Sequence, residues 1–441
     1  MSVGLRPTLR TWNLKPLGYA RVITPNKSTQ RRTLKARYVF PVVAEPIVEG
    51  TVTILGEQIV AVGSRAVGGQ MEDLGNVAIL PGLVNAHTHL EFSDLAAPLG
   101  RPGMGFVDWI EAVIAFHRQT SGAARQPVEL GLAECHGLGV TAVGEIARPG
   151  WQAEPFERAP ADSVVFLELI APTLRATPGA WKLACEHVRA SRAAGRWRAG
   201  LGPHAPYSVH PSLIRRLVEH SQAGAVPVAF HLAESREEIE LLRGGTGPFR
   251  EFLARIGGWQ PDAIPPGTRP LDYLRLLSQS HRAIVVHGNY LDDEEIAFLA
   301  GHRDRMSVVY CPRTHAYFAH DPYPLAGLLS AGVTVALGTD GRASSPDLSV
   351  LAEMRFLARQ GTIRGSELLE MGTLHAASAL GLDGELGTLE PGKVASLAIV
   401  GLPKRDAADP HELLFDSDLP VEATWCRGRV RYEGEGLGIR D

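Results

Sequence analysis

The chain is short of cysteine, of excess charge and of long apolar runs, and each shortage closes off a class of protein. Four cysteines occur in 441 residues (Cys135, Cys185, Cys311 and Cys426), and no two stand in CxxC spacing. That argues against a disulfide framework and against a cysteine-built zinc knuckle. Lys and Arg total 44 against 48 Asp and Glu, a net charge of −4, so no global basic field exists to hold nucleic acid. No run of 18 apolar residues is present, which speaks against a membrane span. What remains, at 45% hydrophobic and 21% charged, is the composition of a cytoplasmic globular enzyme. It is too long for one core of average size, so a large domain plus a smaller one is expected. Sixteen histidines are the one sharper hint.

Residues 1–34 read differently from the rest. They hold seven Lys or Arg and no Asp or Glu, and they lack the apolar stretch of a secretory signal. They are expected to form a basic N-terminal extension, either a presequence or a loose tail. Short strands then follow: Arg37–Val43, Thr51–Leu55 and Gln58–Val62, the last two joined by a tight turn at Gly56-Glu57. Strand patterns return at Ala395–Val400, Ala423–Cys426 and, after Arg427-Gly428, Arg429–Tyr432. One small β-sandwich assembled from both chain ends (35–80 and 381–441) is the expectation.

Between them, at 81–380, apolar strand candidates alternate with helical patterns. The strands are Val77–Asn85, Val140–Glu145, Val164–Ile170, Ala199–His204, Val226–Ala233, Ala283–Gly288, Ser307–Cys311 and Thr334–Thr339. Helical patterns include Phe106–Phe116, Pro211–His220, Glu237–Leu242, Asp292–Ala300 and Leu348–Ala358. Eight such alternations give an α/β fold, a (β/α)8 TIM barrel. A doubly wound open sheet is the alternative, but no GxGxxG follows the first strand.

A barrel places reactive groups at the C-terminal ends of its strands. There stand His87 and His89 after strand one, His231 and Glu234 at strand five, His287 at strand six and Asp340 at strand eight. His87 and His89, two residues apart on an extended chain, point the same way and can share one ion. Three imidazoles and one carboxylate suit Zn²⁺, or alternatively Fe²⁺, with a position left for water. Glu234 would lie beside that water as a general acid and base. The bland alternatives are a core histidine at 231, a helix cap at Asp340 and a first-turn carboxylate at Glu234.

Taken in order, PGLVNAHTHLEF, HLAES, VHGNYL, Cys311-Pro312-Arg313 and LGTDG resemble the amidohydrolase superfamily over residues 35 to 435. The similar branch holds cytosine, guanine and S-adenosylhomocysteine deaminases and the triazine hydrolases. The resemblance implies that His87, His89, His231 and Asp340 hold one metal, that Glu234 shuttles the proton, and that His287 polarises the bond under attack. Asp340 would also take the proton of the attacking water. Lys182 is the one lysine between His89 and Asp340, and it falls in a helical pattern, so a lysine-bridged pair of metals is disfavoured. Glu168 leaves a carboxylate bridge open.

The run Cys311-Pro312-Arg313-Thr314-His315, with HTHLEFSDL at His87–Leu95, is similar to aminofutalosine deaminase-type proteins. These act on an adenine nucleoside derivative in menaquinone synthesis. The implied activity is hydrolytic release of ammonia from a small heterocyclic substrate. Alternatives are opening of a cyclic amide, displacement of a heteroaromatic substituent, and a non-catalytic relative. Substrate contacts are expected among Glu91, Arg101, Trp109, His204, Arg313 and His315, each of which has a packing or ion-pair alternative. No nucleic-acid or membrane partner is expected, and assembly into a homo-oligomer is left open.

Overall fold

A computed structural model of the chain describes residues 30–120, 126–192 and 195–434. Eight parallel strands form one continuous sheet: Leu83–Thr88, Val140–Ala147, Asp162–Leu169, Trp197–Pro203, Val228–Leu232, Ala283–His287, Met306–Tyr310 and Val335–Leu337. A parallel bridge between Thr88 and Asp340 joins the last strand to the first. The alternation in the sequence therefore becomes a (β/α)8 barrel, with helices such as Phe106–Thr120, Pro211–Gly224 and Val350–Ala358 between the strands.

Strand alternation sorts the core. Val84, Ala86, Ala142, Ile146, Val164, Phe166, Ala229, Ile284, Val286, Val309 and Ala336 fill the barrel interior. The helix Leu374–Leu380 contributes Ala376, Ala377, Ala379 and Leu380 to the same cluster. Residues of opposite parity, such as Val165, Phe230, Val285 and Val335, pack outward in the cluster they share with helix residues. These strands are buried on both faces, which is why they read as unbroken apolar runs.

Two further sheets flank the barrel. One takes Gln58–Gly63, Thr51–Leu55, Arg31–Lys35 and Gln70–Asp73; the other joins Tyr38–Val39, Ile47–Val48 and Val77–Pro81 to Leu397–Gly401, Val421–Cys426 and Arg429–Glu433. Leu34, Val52, Ile54, Ile79, Ile399 and Trp425 share a core between them. Arg31–Lys35 pairs with Thr51–Leu55, so part of the expected extension is a sheet strand. Residues 1–29 lie outside the described residues.

The first strand candidate, Val77–Asn85, needs correction. Val77–Pro81 pairs antiparallel with Leu397–Gly401, whereas Leu83–Thr88 pairs with the second barrel strand. Gly82 separates them, and its place requires glycine: a Cβ there would lie 2.1 Å from Thr141 Oγ1. Among the described residues no helix is long and apolar enough to cross a membrane.

Candidate active site

The ends of the first and eighth strands are tied first by backbone. Thr339 and Asp340 both donate N–H to the His87 carbonyl at 3.1 Å, and Thr88 Oγ1 donates to the Asp340 carbonyl at 2.9 Å. Gly338 permits the approach, since a Cβ there would meet His87 Cβ at 2.9 Å. A register shift between Asn85 and Thr88 inserts one extra residue against the second strand. With Val84 and Ala86 already inward, this bulge reverses the alternation and turns His87 and His89 inward as well.

His287 is turned by a different device. Ile284 and Val286 face inward, so a regular strand would send residue 287 out. Its φ of +69° breaks the alternation, and the ring lies 5.6 Å from that of His87, centroid to centroid. Asp340 also adopts a positive φ, +55°. Such backbone strain in non-glycine residues gathers at functional sites.

These devices bring the expected residues together. Ligating atoms of His87, His89 and His231 lie within 4.8 Å of one another. Asp340 Oδ1 is 3.6 Å from Nε2 of both His87 and His89. His231 Nδ1 donates to the His204 carbonyl at 3.0 Å, which fixes the tautomer and frees Nε2. Both ring nitrogens of His87 are buried without a hydrogen-bond partner among the described residues. An orphaned buried imidazole is costly unless something else satisfies it, and three imidazoles with a carboxylate are a donor set that fits one divalent ion.

Burial lowers the pKa of His89 to about 4, with His87 adding to the shift, and that of His287 to about 3. His231 is lowered well below the ordinary value, again by burial first. For Asp340 burial pushes the carboxyl up, but His87, His89 and His287 pull it below the usual range. Glu234 moves the other way: burial, then the Asp340 charge, pushes it well above an ordinary glutamate. Its Oε1 lies 3.1 Å from His287 Nε2. A carboxyl shifted toward its protonated form thus faces an imidazole shifted toward its neutral form, an arrangement suited to moving a proton.

The expected substrate contacts divide. His204 stands beside the cluster, 5.0 Å from His231 between centroids, with Nδ1 on Ser208 Oγ and Nε2 3.9 Å from buried Glu168. Glu91 approaches His117 and Arg148, both at 3.7 Å. Arg101 is exposed. Three residues also have partners within the protein. Arg313 is taken by buried Glu353 at 2.6 Å and by Asp347 at 2.7 Å. Trp109 donates Nε1–H to the Ala343 carbonyl and packs between Phe106 and Phe318. His315 spends Nε2 on the Asp321 carbonyl at 2.9 Å. Lys182 lies on the outer helix Thr177–Ser191, its side chain 77% exposed and facing Glu186.

Three supporting residues carry no sequence signal. Ser344 Oγ donates to Asp340 Oδ2, Tyr323 donates its hydroxyl to the His287 carbonyl, and buried Glu145 accepts the Leu90 N–H with both oxygens. Tyr323 and Glu145 act through contacts between distant segments, and Ser344 through a turn four residues past Asp340, and a motif match encodes neither.

A parallel barrel with an imidazole–carboxylate centre at the C-terminal ends of its strands defines the protein as a barrel hydrolase. The chain belongs to the amidohydrolase family, which it matches over residues 78–431. It is 29% identical over 406 residues to a 5-methylthioadenosine/S-adenosylhomocysteine deaminase of Natronomonas pharaonis, spanning 85% of this chain and 84% of that one. It is 30% identical over 331 residues to an aminodeoxyfutalosine deaminase of Deinococcus radiodurans, spanning 70% and 76%. Among solved structures, Helicobacter pylori aminofutalosine deaminase shares the fold at a TM-score of 0.80 and 22% identity, over 91% of this chain and all of that one. An adenosine deaminase of Xanthomonas campestris with bound zinc aligns at 0.75 and 25% identity, over 93% and 94%.

Proposed function

We propose that this protein is a metal-dependent hydrolytic deaminase that removes the exocyclic amino group of an adenine nucleoside derivative, releasing ammonia. The observation that carries the reading is the Glu234–His287 pair at 3.1 Å, beside the convergent His87, His89, His231 and Asp340. The relatives named as deaminases of adenine nucleosides support the substrate class. An aminofutalosine-type nucleoside on the route to menaquinone is the finer proposal, on the resemblance of residues 87–95 and 311–315. Four unpaired cysteines favour a cytoplasmic setting.

His87, His89, His231 and Asp340 would hold one divalent ion, Zn²⁺ in the first instance and Fe²⁺ as the alternative. When bound, it supplies Lewis acidity that brings the pKa of water from 15.7 toward about 7. Asp340 accepts the proton of the attacking water and orients it. Glu234, whose burial favours the protonated form, gives a proton to the ring nitrogen next to the carbon under attack. Oxygen of that water bonds to the carbon, Asp340 passes the proton it took to the amino group, and the carbon–nitrogen bond breaks to release ammonia while the hydroxyl proton of the adduct returns to Glu234. His287 steadies the charge that develops during addition. His204, Glu91 and Arg101 remain the proposed contacts to the rest of the substrate.

The test is ammonia release by purified protein loaded with Zn²⁺ or Fe²⁺, on adenosine, 5′-methylthioadenosine, S-adenosylhomocysteine and aminofutalosine. Turnover of at least one, lost on stripping the metal and regained on reloading, is expected. Hydrolysis of a cyclic amide or a substituted triazine, with no ammonia from any adenine nucleoside, would overturn the reading.

A further inference from the structure

Glu234 reaches the site only because the chain kinks beside it. Ala229 faces the barrel interior and Phe230 packs outward, so unbroken alternation would send Ala233 in and Glu234 out. Ala233 instead takes a φ of +53° and joins the outer cluster. It is not a glycine, so the surroundings must hold it in a conformation that L-residues rarely adopt.

Glu238 provides the hold. Its side chain is fully buried, with Oε1 accepting the N–H of Ala233 and Oε2 that of Glu234, both at 2.9 Å. Its own N–H donates to Ser235 Oγ, the cap of the helix Arg236–Gly244. A capping box ties such a glutamate to the cap residue's own N–H; Glu238 reaches one and two residues further back, onto the kink itself. From the other side, the Tyr290 N–H donates to the Ala233 carbonyl at 3.0 Å, and Asn289 Nδ2 to the Glu234 carbonyl at 2.8 Å. The segment carrying Tyr290 and Asn289 also carries His287, the partner of Glu234.

We propose that Glu238 is a positioning residue for the deamination: by holding the Ala233 kink it aims the Glu234 carboxyl at His287 and the reacting substrate. Glu238 touches no substrate and acts through Glu234, so the inference rests on the proton-shuttle reading of Glu234. A displacement of about 1 Å at such a group costs on the order of 10²-fold in rate.

The test is a double-mutant cycle on the metal-loaded full chain, read as ammonia release from 5′-methylthioadenosine or whichever adenine nucleoside the panel above identifies. E238Q is expected to lower kcat by about 10- to 10²-fold, with metal content intact and KM nearly unchanged. In an E234Q background the same change is expected to cost almost nothing further, because its target is already disabled. Ala233→Gly, which adopts the kink freely, is expected to restore part of kcat to E238Q, and serves in its place if E238Q alone does not fold. Wild-type kcat in E238Q with only a lowered melting temperature would overturn the proposal, as would an undiminished loss in the E234Q background. Failure of the shuttle reading itself is seen separately, as near-normal turnover in E234Q alone.

Discussion

Ser344 Oγ donates to Asp340 Oδ2 at 2.5 Å, while the other oxygen of that carboxylate faces His87 and His89 at 3.6 Å. The hydroxyl thereby fixes which oxygen is offered to the histidine cluster. Ser344→Ala is expected to leave the fold intact and to weaken metal affinity or activity by about 10- to 100-fold. Competition for Zn²⁺ against a chelator of known affinity reads this directly. Unchanged affinity would mean that the carboxylate is aimed by its backbone alone.

Replacing Glu234 by glutamine removes the titrating proton and keeps the shape. Metal content should match that of the parent protein while turnover falls by about 10²–10⁴-fold. Elemental analysis beside a steady-state ammonia assay separates the two effects. Loss of metal in this variant would reassign Glu234 from proton transfer to ligation.

Arg313, an expected substrate contact, is paired with two carboxylates of the protein. Glu353, fully buried, accepts from its Nε and backbone N–H, and Asp347 from its Nη2. Arg313→Met strands a buried carboxylate and is expected to cost about 3–5 kcal/mol of stability, with KM unchanged for protein that remains folded. Urea unfolding and a substrate titration measure each. A large rise in KM at unaltered stability would restore the substrate-contact reading.

His136, on the helix Pro127–Gly137 and 9% exposed, is held down to about 4 by burial and then by Arg431. An unfolded chain returns it to about 6.5. Between these values the unfolded state binds a proton that the folded state refuses. Its contribution is therefore complete above pH 6.5 and is lost as pH falls through about 4, on the order of 3 kcal/mol at most. Urea midpoints from pH 7.5 to 4 should fall less steeply for His136→Gln than for the parent. Parallel slopes would show that His136 already titrates normally in the folded protein.

The sequence by itself determined the barrel and the residue types at its mouth. Apolar strands buried on both faces have to read as continuous runs, and a barrel offers only its strand ends for chemistry, so His87, His89, His231, Glu234, His287 and Asp340 stood out by position alone. Tertiary structure decided how those side chains reach one centre. The bulge before Thr88 and the left-handed backbone at Ala233, His287 and Asp340 are imposed by neighbouring strands and by Glu238, and none of these residues is a glycine that would have announced a turn. The same holds for Arg313, Trp109 and His315, whose residue types suit a substrate equally well. Which partner each one takes depends on segments brought close only by folding, Asp347, Glu353, Ala343 and Asp321, and a one-dimensional pattern carries no record of that proximity.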